Sequence, residues 1–134
     1  MSVNKEIIPK TNLFNTGSPG FTSEMLRNSK PVTALKGDTI IYRGDVSEEI
    51  YFVKSGELEI IAEDDKTVVA ILSEGAYFGE VGVLLDMKRT MTVRALTNCI
   101  LNQIKKDTFF KIVEKYPDQF RLLRKVRDIT GIYR

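Results

Sequence analysis

The chain has 134 residues, 43% of them apolar and 28% charged, which allows one domain with its own core and reads as an ordinary globular protein. Its 20 basic and 18 acidic residues leave a net charge of +2, giving no electrostatic case for nucleic acid as the main partner, and no window of about 18 uninterrupted apolar residues offers a membrane span. There is no histidine, which removes the usual general base and the commonest transition-metal ligand; no catalytic residue and no metal site are assigned, and a cupin-type metal enzyme is disfavoured.

The first residues, Met1-Ser2-Val3-Asn4-Lys5-Glu6, lack the apolar core of a signal peptide. Residues 1–20 are weakly patterned and punctuated by Pro9, Asn15-Thr16-Gly17-Ser18 and Pro19-Gly20. Leu13 and Phe14 are expected to pack as an apolar plug on the segment C-terminal to them. Residues 21–29 predict a short helix, capped by Thr22 or Ser23, with Phe21, Met25 and Leu26 on one face.

From Pro31 to Ile104 short β-rich runs alternate with turns. The runs are Val32–Leu35, Thr39–Tyr42, Ile50–Val53, Leu58–Ala62, Thr67–Leu72, Met91–Ala95 and Ile100–Ile104. Such spacing predicts an antiparallel sandwich or barrel. Gly37, Gly56 and Gly75 recur at intervals of 19 residues. That spacing is either coincidence or the mark of a β-roll whose stacked corners need positive φ, and the second is favoured. Glu63–Lys66 is expected to be a solvated hairpin tip. The single cysteine excludes an internal disulfide, and Cys99-Ile100-Leu101 predicts a buried structural thiol.

Beyond Lys106 the period is helical. Asp107 is expected to cap a helix carrying Phe109, Phe110, Ile112, Val113 and Tyr116. Pro117 breaks it and opens a last helix with Leu122, Val126, Ile129 and Tyr133 on one face. That last helix is either docked on its own core or serves as a lid or partner-binding element.

The stretch from Tyr77 to Ala95 carries the chemistry. Gly79 lets a backbone approach a ligand closely, and a short helical segment from Glu80 to Leu85 turns free N–H groups toward the same space. Arg89 adds a permanent charge in a planar fork matched to phosphate oxygens, and Thr90 adds a hydroxyl. Glu80 opposes an anion unless it accepts a hydrogen bond from a hydroxyl beside the phosphate, as a ribose 2′-OH would offer. Phosphate with an adjacent ribose hydroxyl describes a nucleotide. Spacing alone also permits Glu80 and Arg89 to form a structural ion pair.

This stretch resembles the phosphate-binding cassette of the cyclic nucleotide-binding domain family. The resemblance rests on Phe78-Gly79-Glu80, Val83-Leu84-Leu85, Arg89-Thr90, Val93 and Ala95, with Lys36-Gly37-Asp38, Tyr51-Phe52-Val53 and Ser55-Gly56-Glu57 in the roll. Within the family the chain is most similar to the domains of cyclic nucleotide-gated and hyperpolarization-activated ion channels, through Leu13-Phe14, Tyr77-Phe78-Gly79-Glu80, Thr92-Val93-Arg94-Ala95 and Glu114-Lys115-Tyr116-Pro117. It implies an α+β, mainly β fold: an eight-stranded antiparallel β-roll, jelly-roll-like, with short N-terminal helices, a cassette helix and two C-terminal helices. The expected parts are residues 1–30, the roll at 31–105 with its cassette at 77–95, and the closing helices at 106–134, all in one domain.

The same resemblance implies that Arg89 pairs with the cyclic phosphate, Glu80 takes the ribose 2′-OH, and the Gly79 backbone lies against the ligand. Thr90 touches the phosphate and, in a syn purine, the guanine amino group. Val81, Gly82 and Met91 complete the cassette side, and Ile60 and Leu72 line the purine side. Met91 departs from the family pattern, which places a small residue there. Thr130 and Arg134 fall where channel domains set residues over the purine, and neither is the acidic residue associated with cGMP selection. The expected ligand is therefore cAMP or cGMP, with no other cofactor.

The function implied is a regulatory module, not an enzyme: the ligand-sensing part of a cyclic nucleotide-regulated cation channel. On this expectation the fragment is soluble and monomeric, excised from the cytoplasmic side of a tetrameric plasma-membrane protein, with that protein's pore as its partner. The alternatives are the same fold with a vestigial or weak site used as a structural or gating module, or the sensor of a cyclic nucleotide-regulated exchanger or kinase.

Overall fold

The structure, a computed structural model, describes residues 19–122. Helix α1 (Pro19–Arg27) leads into eight strands: β1 (Lys30–Ala34), β2 (Thr39–Ile41), β3 (Glu49–Ser55), β4 (Leu58–Ile61), β5 (Val68–Leu72), β6 (Tyr77–Phe78), β7 (Thr92–Ala95) and β8 (Cys99–Lys105). Helix α2 (Glu80–Leu85) interrupts them between β6 and β7, and α3 (Lys106–Val113) comes after β8. Residues 117–122 are again helical. The strands form two antiparallel four-stranded sheets, β1-β8-β3-β6 and β2-β7-β4-β5, the β-roll that the turn spacing and the resemblance predict.

Strand β3 explains why the roll holds helices on one side. Tyr51 and Val53 point into the roll, while Ile50 and Phe52 point out beneath the helices, so both faces of one strand are apolar and buried. The inner core joins these residues to Leu58, Ile60, Leu72, Val93 and Leu101. The outer core joins Phe21 and Met25 of α1, Val83 and Leu84 of α2, and Phe109, Ile112 and Val113 of α3 to Ile50, Phe52 and Ile104. Each large side chain taken fully from water contributes about 1.5–3 kcal/mol, so the outer core fixes α2 firmly on the sheet.

The predicted strands agree with the observed ones to within two residues, and Gly37, Gly56 and Gly75 all take φ near +90°. Pro31 lies in β1, an edge strand, where a missing N–H is tolerated. Cys99 is buried, and its Sγ lies 3.3 Å from Glu57 O.

Three expectations are corrected. Helix α1 begins at Pro19, so Thr22 and Ser23 lie inside it and cap nothing; proline's fixed φ suits that first turn. Leu26 is exposed, off the face formed by Phe21 and Met25. Asp107 is not the cap of α3. Strand β8 pairs with β3 as far as Lys105, which takes the cap position with an extended backbone, and Lys106 N–H donates to Glu48 O at 2.8 Å. Asp107 sits one residue into the first turn, where its charge suits the helix dipole. The plug at Leu13 and Phe14 and the apolar face from Val126 to Tyr133 lie outside the described residues.

Candidate functional site

The site is built where β6 turns into α2. Gly79 holds φ at +88°, a left-handed conformation that side chains rarely take. A Cβ there would stand 3.0 Å from Glu49 O and 3.1 Å from the Arg89 Nη1, so space as well as torsion demands glycine. Helix α2 runs for six residues to Leu85 and is capped by Asp86, also left-handed, with Met87 N–H donating to Gly82 O at 2.9 Å. The chain then folds back, bringing Arg89 beside the glycine where the helix began.

Arg89 is only 8% exposed and Glu80 only 5%: a buried carboxyl group opens α2, and a buried guanidinium stands in the loop that follows it. The Arg89 Nη1 donates to Gly79 O and its Nη2 to Glu49 O, both at 2.7 Å. A guanidinium carries five N–H donors, so these two bonds fix its plane and leave others for a further acceptor. Burial lowers the Arg89 pKa, and the neighbouring Tyr51, Glu49, Glu80 and Asp45 act against that shift. The group stays charged at neutral pH. Glu80 is thus one of the groups whose charge opposes the effect of burial on Arg89.

Next to these groups opens a cavity of about 500 Å³, within the range of small-molecule sites. Its apolar wall is the inside of the roll. Ile41 pairs with Val93 across β2 and β7, Val93 pairs with Ile60 across β7 and β4, and Ile60 pairs with Ala70 across β4 and β5; all four line the cavity. Leu72, two residues beyond Ala70, extends the same wall.

Every expected site residue among those described lines this one cavity: Ile60, Leu72, Gly79, Glu80, Val81, Gly82, Arg89, Thr90 and Met91. Thr130 and Arg134 lie outside the described residues. Met91 is half-buried and packs against the inner core, so the residue that departs from the family pattern is part of the cavity wall. Sequence reasoning missed Ile41, Ala70 and Val93, which alternation along their strands could have found, and Lys88 and Glu74, exposed charges that also line the cavity. It also missed the carbonyls of Gly79 and Glu49, which carry no residue-specific signal.

Comparison with known proteins bears on the same residues. A sequence model for the Cyclic nucleotide-binding domain matches residues 31–116. Over 129 residues, 92% of this chain, the sequence is 31% identical to Cyclic nucleotide-gated channel alpha-2 of Bos taurus and 30% identical to Cyclic nucleotide-gated channel rod photoreceptor subunit alpha of Gallus gallus, covering 20% of each. It is 29% identical, over the same length, to Cyclic nucleotide-gated cation channel of Ictalurus punctatus, covering 19% of it. The chain spans about one fifth of the length of these relatives.

Proposed function

Since the chain belongs to the cyclic nucleotide-binding domain family, we propose that its cavity takes one cyclic nucleotide, cAMP or cGMP, and that the chain acts as a ligand-sensing module. The observation that carries this reading is the buried Arg89 guanidinium, held by two carbonyls at the wall of a 500 Å³ cavity beside a buried Glu80. A desolvated permanent cation favours an anion next to it, and a cyclic phosphate diester supplies one negative charge and two free oxygens. Glu80, acceptor-only when ionised, takes the ribose 2′-OH. Gly79, Val81, Gly82, Thr90 and Met91 surround the ribose and phosphate, and Ile60 and Leu72 offer the apolar face for the purine.

In this reading ligand shifts an equilibrium by preferring the state in which the segment after Pro117, including Thr130, closes over the base. The parent protein would be a cyclic nucleotide-gated channel, tetrameric and in the plasma membrane, with this domain on the cytoplasmic side and its movement passed to the pore. As an isolated fragment the domain would be soluble and monomeric, with no cofactor, no bound metal and no enzymatic reaction of its own.

A second reading has its own support. The Arg89 fork already satisfies two carbonyls and Met91 occupies part of the wall, which favours the same fold with a weak site and a gating or structural role. Calorimetric titration with cAMP and cGMP separately decides between them. Saturable one-to-one binding of either nucleotide supports the sensor; no heat from either, with no rise in melting temperature at large ligand excess, rejects it.

A further inference from the structure

Three hydrogen bonds fasten the end of the cassette to the loop between β2 and β3. Gly44 N–H donates to Arg89 O and Arg89 N–H donates to Asp45 O, both at 2.8 Å, and Ser47 Oγ donates to Met87 O at 2.5 Å. Of the three, the bond from Ser47 is the one made by a side chain. Residues 42–46 and Glu48 around it are exposed, yet Ser47 is 5% exposed. Its hydroxyl and Cβ fill the space a Cβ on Gly82 would need, and Met87 N–H closes back on Gly82 O. Ser47 therefore stands against both Gly82 in the first turn of α2 and the length of chain that returns to Arg89, without lining the cavity.

We propose that Ser47 is a positioning residue for the cyclic nucleotide site: its hydroxyl pins the Met87 carbonyl so that Arg89 reaches the cavity in register with Gly79 and Glu49. The backbone pair at Gly44 and Asp45 fixes where Arg89 starts. The Ser47 bond fixes the direction from which the chain arrives. Without it the Met87 carbonyl loses its buried donor and the passage from Asp86 to Arg89 is held at one end only. The affinity consequence rests on the proposed ligand; the positional one does not.

The test is a double-mutant cycle read by chemical-shift titration with cAMP and with cGMP, using the wild-type chain, Ser47→Ala, Arg89→Ala and the double variant. Ser47→Ala is expected to weaken binding roughly threefold to tenfold, the scale of one lost buried hydrogen bond, and to cost nothing further in the Arg89→Ala background. Equal losses in both backgrounds, or no loss in either, overturn the proposal. Amide exchange on the ligand-free chains gives the second readout. Faster exchange at Met87 and Arg89 with unchanged protection in β3 and β8 supports the pin, and unchanged exchange at Arg89 overturns it. If neither nucleotide binds the wild-type chain, the ligand reading fails and exchange alone decides the role of Ser47. Should Ser47→Ala not fold, Ser47→Cys, of similar size and a weak donor, is read in the same way.

Discussion

Gly79 and Glu80 are neighbours with opposite demands. Gly79 must lack a side chain, because its φ of +88° and the 3.0 Å and 3.1 Å approaches of Glu49 O and Arg89 leave no place for one. Gly79→Ala is therefore expected to cost about 1–2 kcal/mol in backbone strain and to displace the guanidinium as well. Thermal unfolding and ligand titration should both register the change; a variant with normal affinity and normal melting would contradict the geometry. Glu80 must keep an acceptor oxygen on the cavity if it takes the ribose hydroxyl. A 2′-deoxy nucleotide should bind the wild-type chain roughly tenfold or more weakly, as befits a lost hydrogen bond to a charged acceptor. Glu80→Ala, which has no acceptor oxygen, should bind the two nucleotides nearly alike, and equal sensitivity in both proteins would remove that role. The types Gly, Glu and Arg were legible in the sequence because each has one unusual property. Their partners were not, since the Gly79 and Glu49 carbonyls belong to no residue type, and Ser47 looks like any loop serine.

Among the elements, the strands were the most legible, because alternation and glycine punctuation act together over short runs. Strand β6 was absent from the predicted runs: Tyr77-Phe78 is two residues long and is a strand only because β3 offers it partners at Tyr51 and Phe52. Asp107 misled for a related reason. A sequence shows a helix-capping type but not that the preceding strand stays paired until the helix begins. The β4–β5 hairpin tip was expected to be solvated, and it is exposed from Glu63 to Thr67, but it is also organised. Asp64 accepts hydrogen bonds from the Thr67 hydroxyl and the Thr67 and Lys66 amides, which lower its pKa from 3.8 to about 2. Since the folded value is depressed, the turn's contribution is complete above about pH 4 and is lost as pH falls through about 2. A carboxyl titration followed by NMR should place the midpoint near the lower value; a midpoint near 4 would mean that the turn does not hold Asp64.

At the scale of the whole molecule two cores share strand β3, so the cavity inside the roll and the helices outside it cannot move independently of that strand. Glu24 of α1 accepts from Lys115 at 2.5 Å and from the Tyr116 hydroxyl at 2.8 Å, and Phe21 meets the Tyr116 ring edge-on at 5.5 Å. These contacts tie the first helix to the point where Pro117 starts the next, the place where a movement of the C-terminal segment would be felt. A ligand that binds only the folded chain adds about 2.7 kcal/mol at a hundred times its Kd, so cyclic nucleotide should raise the melting temperature by several degrees, and should do so by little in Arg89→Ala. A similar rise in both proteins would place the ligand elsewhere.

The central claim is that Arg89 holds the phosphate, and the affinity of Arg89→Ala for whichever cyclic nucleotide binds the wild-type chain tests it most directly. Truncating one partner of a desolvated charge pair costs on the order of 2–5 kcal/mol, which predicts a loss of roughly 30-fold or more. Calorimetry returning the wild-type affinity for a folded Arg89→Ala protein would contradict the account.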